Sequence, residues 1–214
     1  MSVVSATENS VLMTQARQAL KGRWGEAIGA TVVSILIPLT AQMVPRVGGL
    51  LSFLISGPIM VGLAGFFLTI SRKQEPVFSQ IFAGFRKFRV SLGAYLFQCV
   101  FVLLWMLLLI IPGIVAALSY AMTYYIISEN EAVGPLAAIA KSKAMMRGNR
   151  WKFFCLGCRF LGWAVLSLLT LGIGFLWLLP YMNTAFAQFY DDLTPTAAEI
   201  AGSVREIPGP AAND

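Results

Sequence analysis

Between Val90 and Ser128 the chain carries no charged residue at all. At about 1.5 Å per residue, one helix of that run would far exceed a bilayer core of about 30 Å. The run is divided near its middle by Pro112-Gly113. Proline suits the first turn of a helix, so the step predicts two shorter helices, one ending near Ile111 and one opening at Pro112. A soluble protein would have no polar face to offer water along such a stretch. The run therefore reads as a membrane hairpin.

Composition extends this reading to the whole chain. Of 214 residues 57% are hydrophobic and only 12% charged, with a mean hydropathy of +0.74, which is the range of polytopic membrane proteins. The net charge of +6 could suggest nucleic acid, but the bases flank apolar runs in short clusters, as at an anionic membrane surface. No nucleic-acid-binding motif accompanies them. Histidine is absent, which removes the commonest catalytic base and metal ligand. Cys99, Cys155 and Cys158 all lie in apolar runs and do not make a disulfide framework. The polar segment from Met1 to Gln15 has no signal-peptide core, so the first span is expected to direct insertion.

In chain order, residues 1–9 are expected to be disordered, followed by a single membrane domain over 10–193 and a disordered, Ala- and Pro-rich tail over 194–214. Ser10 to Lys21 reads as a weakly amphipathic interfacial helix, with Trp24 as an anchor. Spans are expected near 27–44, 49–71, 90–111, 112–128, 153–171 and 173–190. Pro38 interrupts the first, and Gly57-Pro58 kinks the second. Phe78, Ile81, Phe82 and Phe85 recur at helical spacing in a second interfacial helix, and Pro135 to Met146 forms a third.

The expected spans repeat. Gly113 to Tyr125 aligns without gaps on Gly174 to Phe186, matching Gly113 with Gly174, Leu118 with Leu179, Tyr120 with Tyr181 and Thr123 with Thr184. Leu20-Lys21-Gly22-Arg23-Trp24 echoes Met146-Arg147-Gly148-Asn149-Arg150-Trp151. The chain is thus expected to be all-α, with six transmembrane helices in three hairpin repeats, each preceded by a short basic amphipathic interfacial helix. Arg46 is the one base expected on the side opposite the elbows, so the positive-inside rule directs both termini to the cytoplasm.

These residues resemble a bacterial membrane-protein family known as domain of unknown function 975. The likeness rests on Ala19-Leu20-Lys21-Gly22-Arg23-Trp24-Gly25, Gly57-Pro58, Phe82-Ala83-Gly84-Phe85, Ile111-Pro112-Gly113-Ile114 and Met146-Arg147-Gly148. It continues through Gly162-Trp163, Leu169 to Gly174, Pro180-Tyr181 and Phe189-Tyr190, so it spans nearly all of the chain except its ends. The resemblance implies the bacterial inner (cytoplasmic) membrane and supports the fold class. It brings no catalytic or ligand residues.

Four features are candidate sites. Tyr120, Thr123, Tyr124, Tyr181, Asn183, Thr184 and Gln188 could line a polar groove between repeat helices, or serve as hydrogen-bonding glue, the reading preferred. Arg159, the one charge inside a long apolar run, could snorkel or pair with Glu26 at similar depth. Arg86, Lys87, Arg89, Lys141, Lys143, Arg147, Arg150 and Lys152 form elbows that could grip an anionic leaflet. Cys155 and Cys158 have CxxC spacing but no second ligand pair, and read as packing residues. Gly25 and Gly29 add a GxxxG suited to close helix contact.

A non-enzymatic membrane protein working through lipid or protein partners, without a cofactor, is the leading expectation. A homo-oligomer or a membrane-protein partner stays open. A small transporter or channel component is the alternative, favoured by repeats and helix-internal prolines. An intramembrane enzyme lacks a base, a metal motif and a mid-membrane carboxylate pair.

Overall fold

The computed structural model describes residues 4–5, 7–130 and 132–194, and it is helical among them. Most of the expected tail, 195–214, and residues 1–3 and 6 of the expected N-terminal segment lie outside the described residues. Described Ser5 is buried, and its N–H donates to Asn149 Oδ1 at 2.9 Å, so this part of the 1–9 segment is held against the domain.

Among the described residues, five helical stretches are long and apolar enough to cross a membrane. They are α2 (Trp24–Gln42), α3 (Gly48–Ser71), α5 (Phe88–Leu108), the stretch Ile110–Glu129, and α9 (Arg150–Leu169). A further long helix, α10 (Phe175–Leu193), falls outside that set; Asn183, Gln188, Asp191 and Asp192 lower its hydropathy. Boundaries stay within about three residues of those expected, and α2, α3 and α10 run on through Pro38, Pro58 and Pro180. The hairpin break falls at extended Leu109, which puts Pro112 in the first turn of α6 (Ile110–Tyr120).

The Ile110–Glu129 stretch is not one continuous helix. It divides at Ala121-Met122 into α6 and α7 (Thr123–Glu129). The cause is Ser142, fully buried on α8 (Pro135–Met145). Its hydroxyl accepts from the Met122 N–H at 3.2 Å and donates to the Ser119 carbonyl at 2.8 Å. A side chain inserted into the ladder thus replaces a backbone bond there.

The shorter elements are docked more deeply than surface helices would be. α1 (Asn9–Ala19) buries Leu12, Ala16 and Ala19 and packs along α10. The aromatic segment expected as one interfacial helix is a 3₁₀ turn, Phe78–Phe82, running into α4 (Ala83–Arg86). Its backbone lies against α3, so a Cβ on Gly62 would sit 1.9 Å from the Ile81 carbonyl oxygen, and one on Gly84 1.9 Å from that of Pro58. Phe78, Phe82 and Phe85 remain exposed.

Side-chain contacts bring one set of helix ends together. Arg23, before α2, donates to the carbonyls of Lys73 and Gln74 beyond α3. Lys87, before α5, donates to the Ile127 and Ser128 carbonyls in α7 at 2.8 and 3.3 Å. Lys152, in the first turn of α9, stands 3.9 Å from Asp192 near the end of α10. The starts of α2, α5 and α9 therefore share an end with the finishes of α3, α7 and α10.

Candidate functional site

The seven residues expected to line one polar groove are dispersed. Tyr124 and Asn183 do share a cavity of about 450 Å³, walled by α2, α3, α7 and α10 with Ala121 and Phe153. Its Ser and Thr hydroxyls are turned back on their own helix, Thr31 donating to the Ala27 carbonyl, Ser34 to Thr31 and Ser56 to Ser52, while the Tyr125 hydroxyl donates across to the Asn183 carbonyl at 3.4 Å. The Asn183 amide donates within its own helix to Leu179 at 3.0 Å. The wall is consequently apolar in character.

Elsewhere, Tyr120 joins a small cluster with Ala116 and Ile139, packed by Phe101. Thr123 is fully buried, and its hydroxyl has no hydrogen-bond partner among the described residues. Thr184 donates to the Pro180 carbonyl within its own helix. Tyr181 donates to the Met13 carbonyl at 3.1 Å, tying α10 to α1, and Gln188 donates to the Ser71 carbonyl at 2.7 Å, tying it to α3. Tyr181 and Gln188 thus act as interhelical links, while the set as a whole does not enclose one site.

Glu26 and Arg159 are both exposed, and no ion pair joins them among the described residues. α10 packs against both α2 and α9, so equal depth did not make the two side chains neighbours. Cys155 is half-buried and Cys158 exposed, rather than packed in the core. Of the two GxxxG glycines, Gly29 lies close to the Phe78 ring, while a Cβ on Gly25 would meet nothing.

The eight elbow bases divide. Arg86, Arg89, Lys141, Lys143 and Arg147 are exposed. Lys87, Arg150 and Lys152 are half-buried, and Lys87 and Lys152 are engaged by the contacts just described.

The strongest polar constellation involves charges that the span pattern did not single out. The Arg72 guanidinium meets Glu129 Oε1 at 2.6 Å and Asp191 Oδ1 at 2.8 Å, with a further bond from Nε to Asp191 at 3.0 Å. Ser71 donates to the other Asp191 oxygen at 2.5 Å, and the Tyr190 hydroxyl donates to Glu129 Oε2 at 2.6 Å. One guanidinium therefore ties the ends of α3, α7 and α10. Burial raises the Asp191 carboxyl above its ordinary value, and the hydrogen bonds from Ser71 and Arg72 oppose that rise. Arg72 itself loses some basicity to burial but gains more from Asp191 and Glu129, and the net direction is up. Beside this cluster lies a cavity of about 240 Å³ whose lining also includes Gln80, Lys87 and Ser128. The signal was present in the sequence, since each of the three charges ends the second helix of an expected hairpin. Pairing them required the helix ends to be adjacent.

Searches of curated proteins and of solved structures give no match. A family model does match, over residues 1–122 and 97–197, two overlapping stretches that together cover most of the chain, and its description is that of a protein of unknown function. The resemblance drawn from the Gly-basic-aromatic elbows and the Pro-Gly hairpin is thereby confirmed, and the chain belongs to the DUF975 family.

Proposed function

We propose that the protein is a non-enzymatic, multi-pass component of the bacterial cytoplasmic membrane, acting through lipid or protein partners at its basic face. In this reading α10 completes six spans, the three hairpins are repeats, and the short helices before them are interfacial. The observation that carries it is the one-sidedness of charge. The helix ends joined through Arg23, Arg72, Lys87 and Lys152 form the basic end, whereas Arg46 lies in the turn between α2 and α3 at the other. Each base near an anionic leaflet contributes about 1 kcal/mol, and the bias orients both termini to the cytoplasm.

Repetition has support in backbone shape as well as in sequence. Gly22 and Gly148, which correspond in the Gly-basic-aromatic elbows, both take left-handed conformations with φ of 84° and 89°. Glycine adopts that region without the Cβ clash that other residues meet.

The test is lipid enrichment by the purified full chain in mixed vesicles. Replacing exposed Lys141, Lys143 and Arg147 together with Gln is expected to lower enrichment of anionic over zwitterionic lipid. Unchanged enrichment rejects the reading. Orientation is checked by labelling single cysteines introduced beside Arg46 and in the Lys141–Lys143 region from either side of the membrane.

The cavity containing Tyr124 and Asn183 favours a second reading, a small transporter or channel component. A cysteine at position 183 that is labelled by water-soluble reagent from alternating sides would support it; protection from both sides would remove it.

A further inference from the structure

We propose that α1 and the α9–α10 hairpin form a seat for one diacyl phospholipid with an anionic headgroup. The proposal rests on the membrane reading above and specifies a place and a ligand class for it.

The seat has two contiguous parts. The first is a cavity of about 350 Å³ beside α1, lined by Thr14, Arg17, Gln18, Lys21 and Trp24, whose wall is formed mainly by the apolar atoms of these side chains. Thr14, Arg17 and Gln18 follow the spacing i, i+3 and i+4, which puts them on one side of α1, and Lys21 follows in the turn after it. The opposite side is committed to the core through Leu12, Ala16, Ala19 and Leu20. Among the described residues neither Arg17 nor Lys21 forms an ion pair, so two cations stand together without a carboxylate.

The second part is an apolar cavity of about 530 Å³ along α9 and α10, whose walls include Trp163, Leu166, Trp177 and Leu178. Arg17 and Trp24 line both cavities, so the cavity that carries the two bases adjoins the groove along α9 and α10. Such volumes lie in the ordinary range of small-ligand sites. Trp24 stands at the junction, where tryptophan is favoured by the boundary between headgroups and acyl chains.

Charge and polarity together select the occupant. An anionic headgroup complements Arg17 and Lys21, with the Gln18 amide as a further donor, and an acyl chain continues into the tryptophan-lined groove. A soluble anion would leave the groove unfilled, and an apolar helix would leave the two cations unmatched. Because acyl chains are already in an apolar solvent within the bilayer, selectivity comes from the headgroup contacts.

Native mass spectrometry of the full chain, released from vesicles of phosphatidylglycerol and phosphatidylcholine, tests the seat. The wild type is expected to retain one phosphatidylglycerol in preference to phosphatidylcholine. Arg17→Gln with Lys21→Gln should lower that retention about thirtyfold, while Arg17→Lys with Lys21→Arg should keep it. Leu166→Trp, which fills the groove without touching charge, should lower it as well. Lys141→Gln with Lys143→Gln should reduce bulk anionic enrichment but leave the single retained lipid in place. Equal loss from the Arg17/Lys21 and Lys141/Lys143 pairs would overturn the seat and leave the general lipid reading standing. Retention unaffected by Leu166→Trp, or a protein dimer in place of bound lipid, would also overturn it. A retained lipid that depends on Arg17 and Lys21, with bulk enrichment indifferent to 141, 143 and 147, would support the seat and reject the wider reading.

Discussion

α3 and α5 have the same peak hydropathy, 2.0, yet 56% of that stretch is buried in α3 and 11% in α5. Part of the difference lies in small residues, which let neighbours close on a helix that also buries Phe66, Phe67 and Ile70. α3 presents Gly57, Gly62, Ala64 and Gly65 to its neighbours, and the approach at Gly62 is close enough to exclude a Cβ. The two buried residues of α5 are again small, Ser91 and Ala94, near its start. Its other end carries Leu103, Leu104, Trp105, Leu107 and Leu108, all exposed. Lipid tails solvate leucine as well as another helix does, so hydropathy cannot sort a packed face from a lipid face. Small residues can, because they let backbones approach.

The sharpest way to break this comparison is Gly62→Ala. Its new methyl would meet a backbone carbonyl, which no rotamer change relieves. We expect a loss of about 3 kcal/mol, read as a lower thermal unfolding midpoint in detergent. An unchanged midpoint would mean that close backbone contact is not what buries α3.

Ser142→Ala tests the joint at which exposed α6 turns into buried α7. It leaves the Met122 N–H and the Ser119 carbonyl without their shared partner, at an expected cost of about 2 kcal/mol. Hydrogen exchange at the Met122 amide should accelerate in the variant; unaltered protection would show that another group closes the gap.

Arg72→Gln should cost less, about 1 kcal/mol, because the side chain is 37% exposed and its pairs are partly screened. Its pH signature is more specific. Burial holds the Asp191 pKa above the ordinary value, so the folded protein takes up that proton at a higher pH than the unfolded chain. Stability then rises as pH falls through the folded value and levels off below the unfolded one. Asp191→Asn should remove this part of the pH–stability curve. Arg72→Gln, which removes an opposing contact, should move it to higher pH.

The smallest effect is expected at Leu107→Ala, on a side chain 84% exposed at the far end of α5. A change within about 0.5 kcal/mol fits a lipid-facing position. A cost of about 2 kcal/mol or more would mean that the arm is covered by another chain.

Arg17 in α1 and Lys21 just after it were also visible in sequence as part of an amphipathic segment, but that their cavity adjoins a groove along α9 and α10 was not. The same holds for the charge cluster. Arg72, Glu129 and Asp191 each directly follow an expected span, and only the meeting of three helix ends made them a network. Glu26 and Arg159 illustrate the converse, since depth along a helix says nothing about which way the side chain faces.

What the chain decided by itself is the existence, length and approximate ends of its apolar helices, and the Pro-Gly hairpin at their centre. Long uncharged runs admit few other structures, and charge marks where they stop. Tertiary structure decided which apolar faces are packed, where Ser142 divides a helix, and which polar ends meet. Those choices depend on backbone approach and on partners distant in sequence, for which local hydropathy carries no signal.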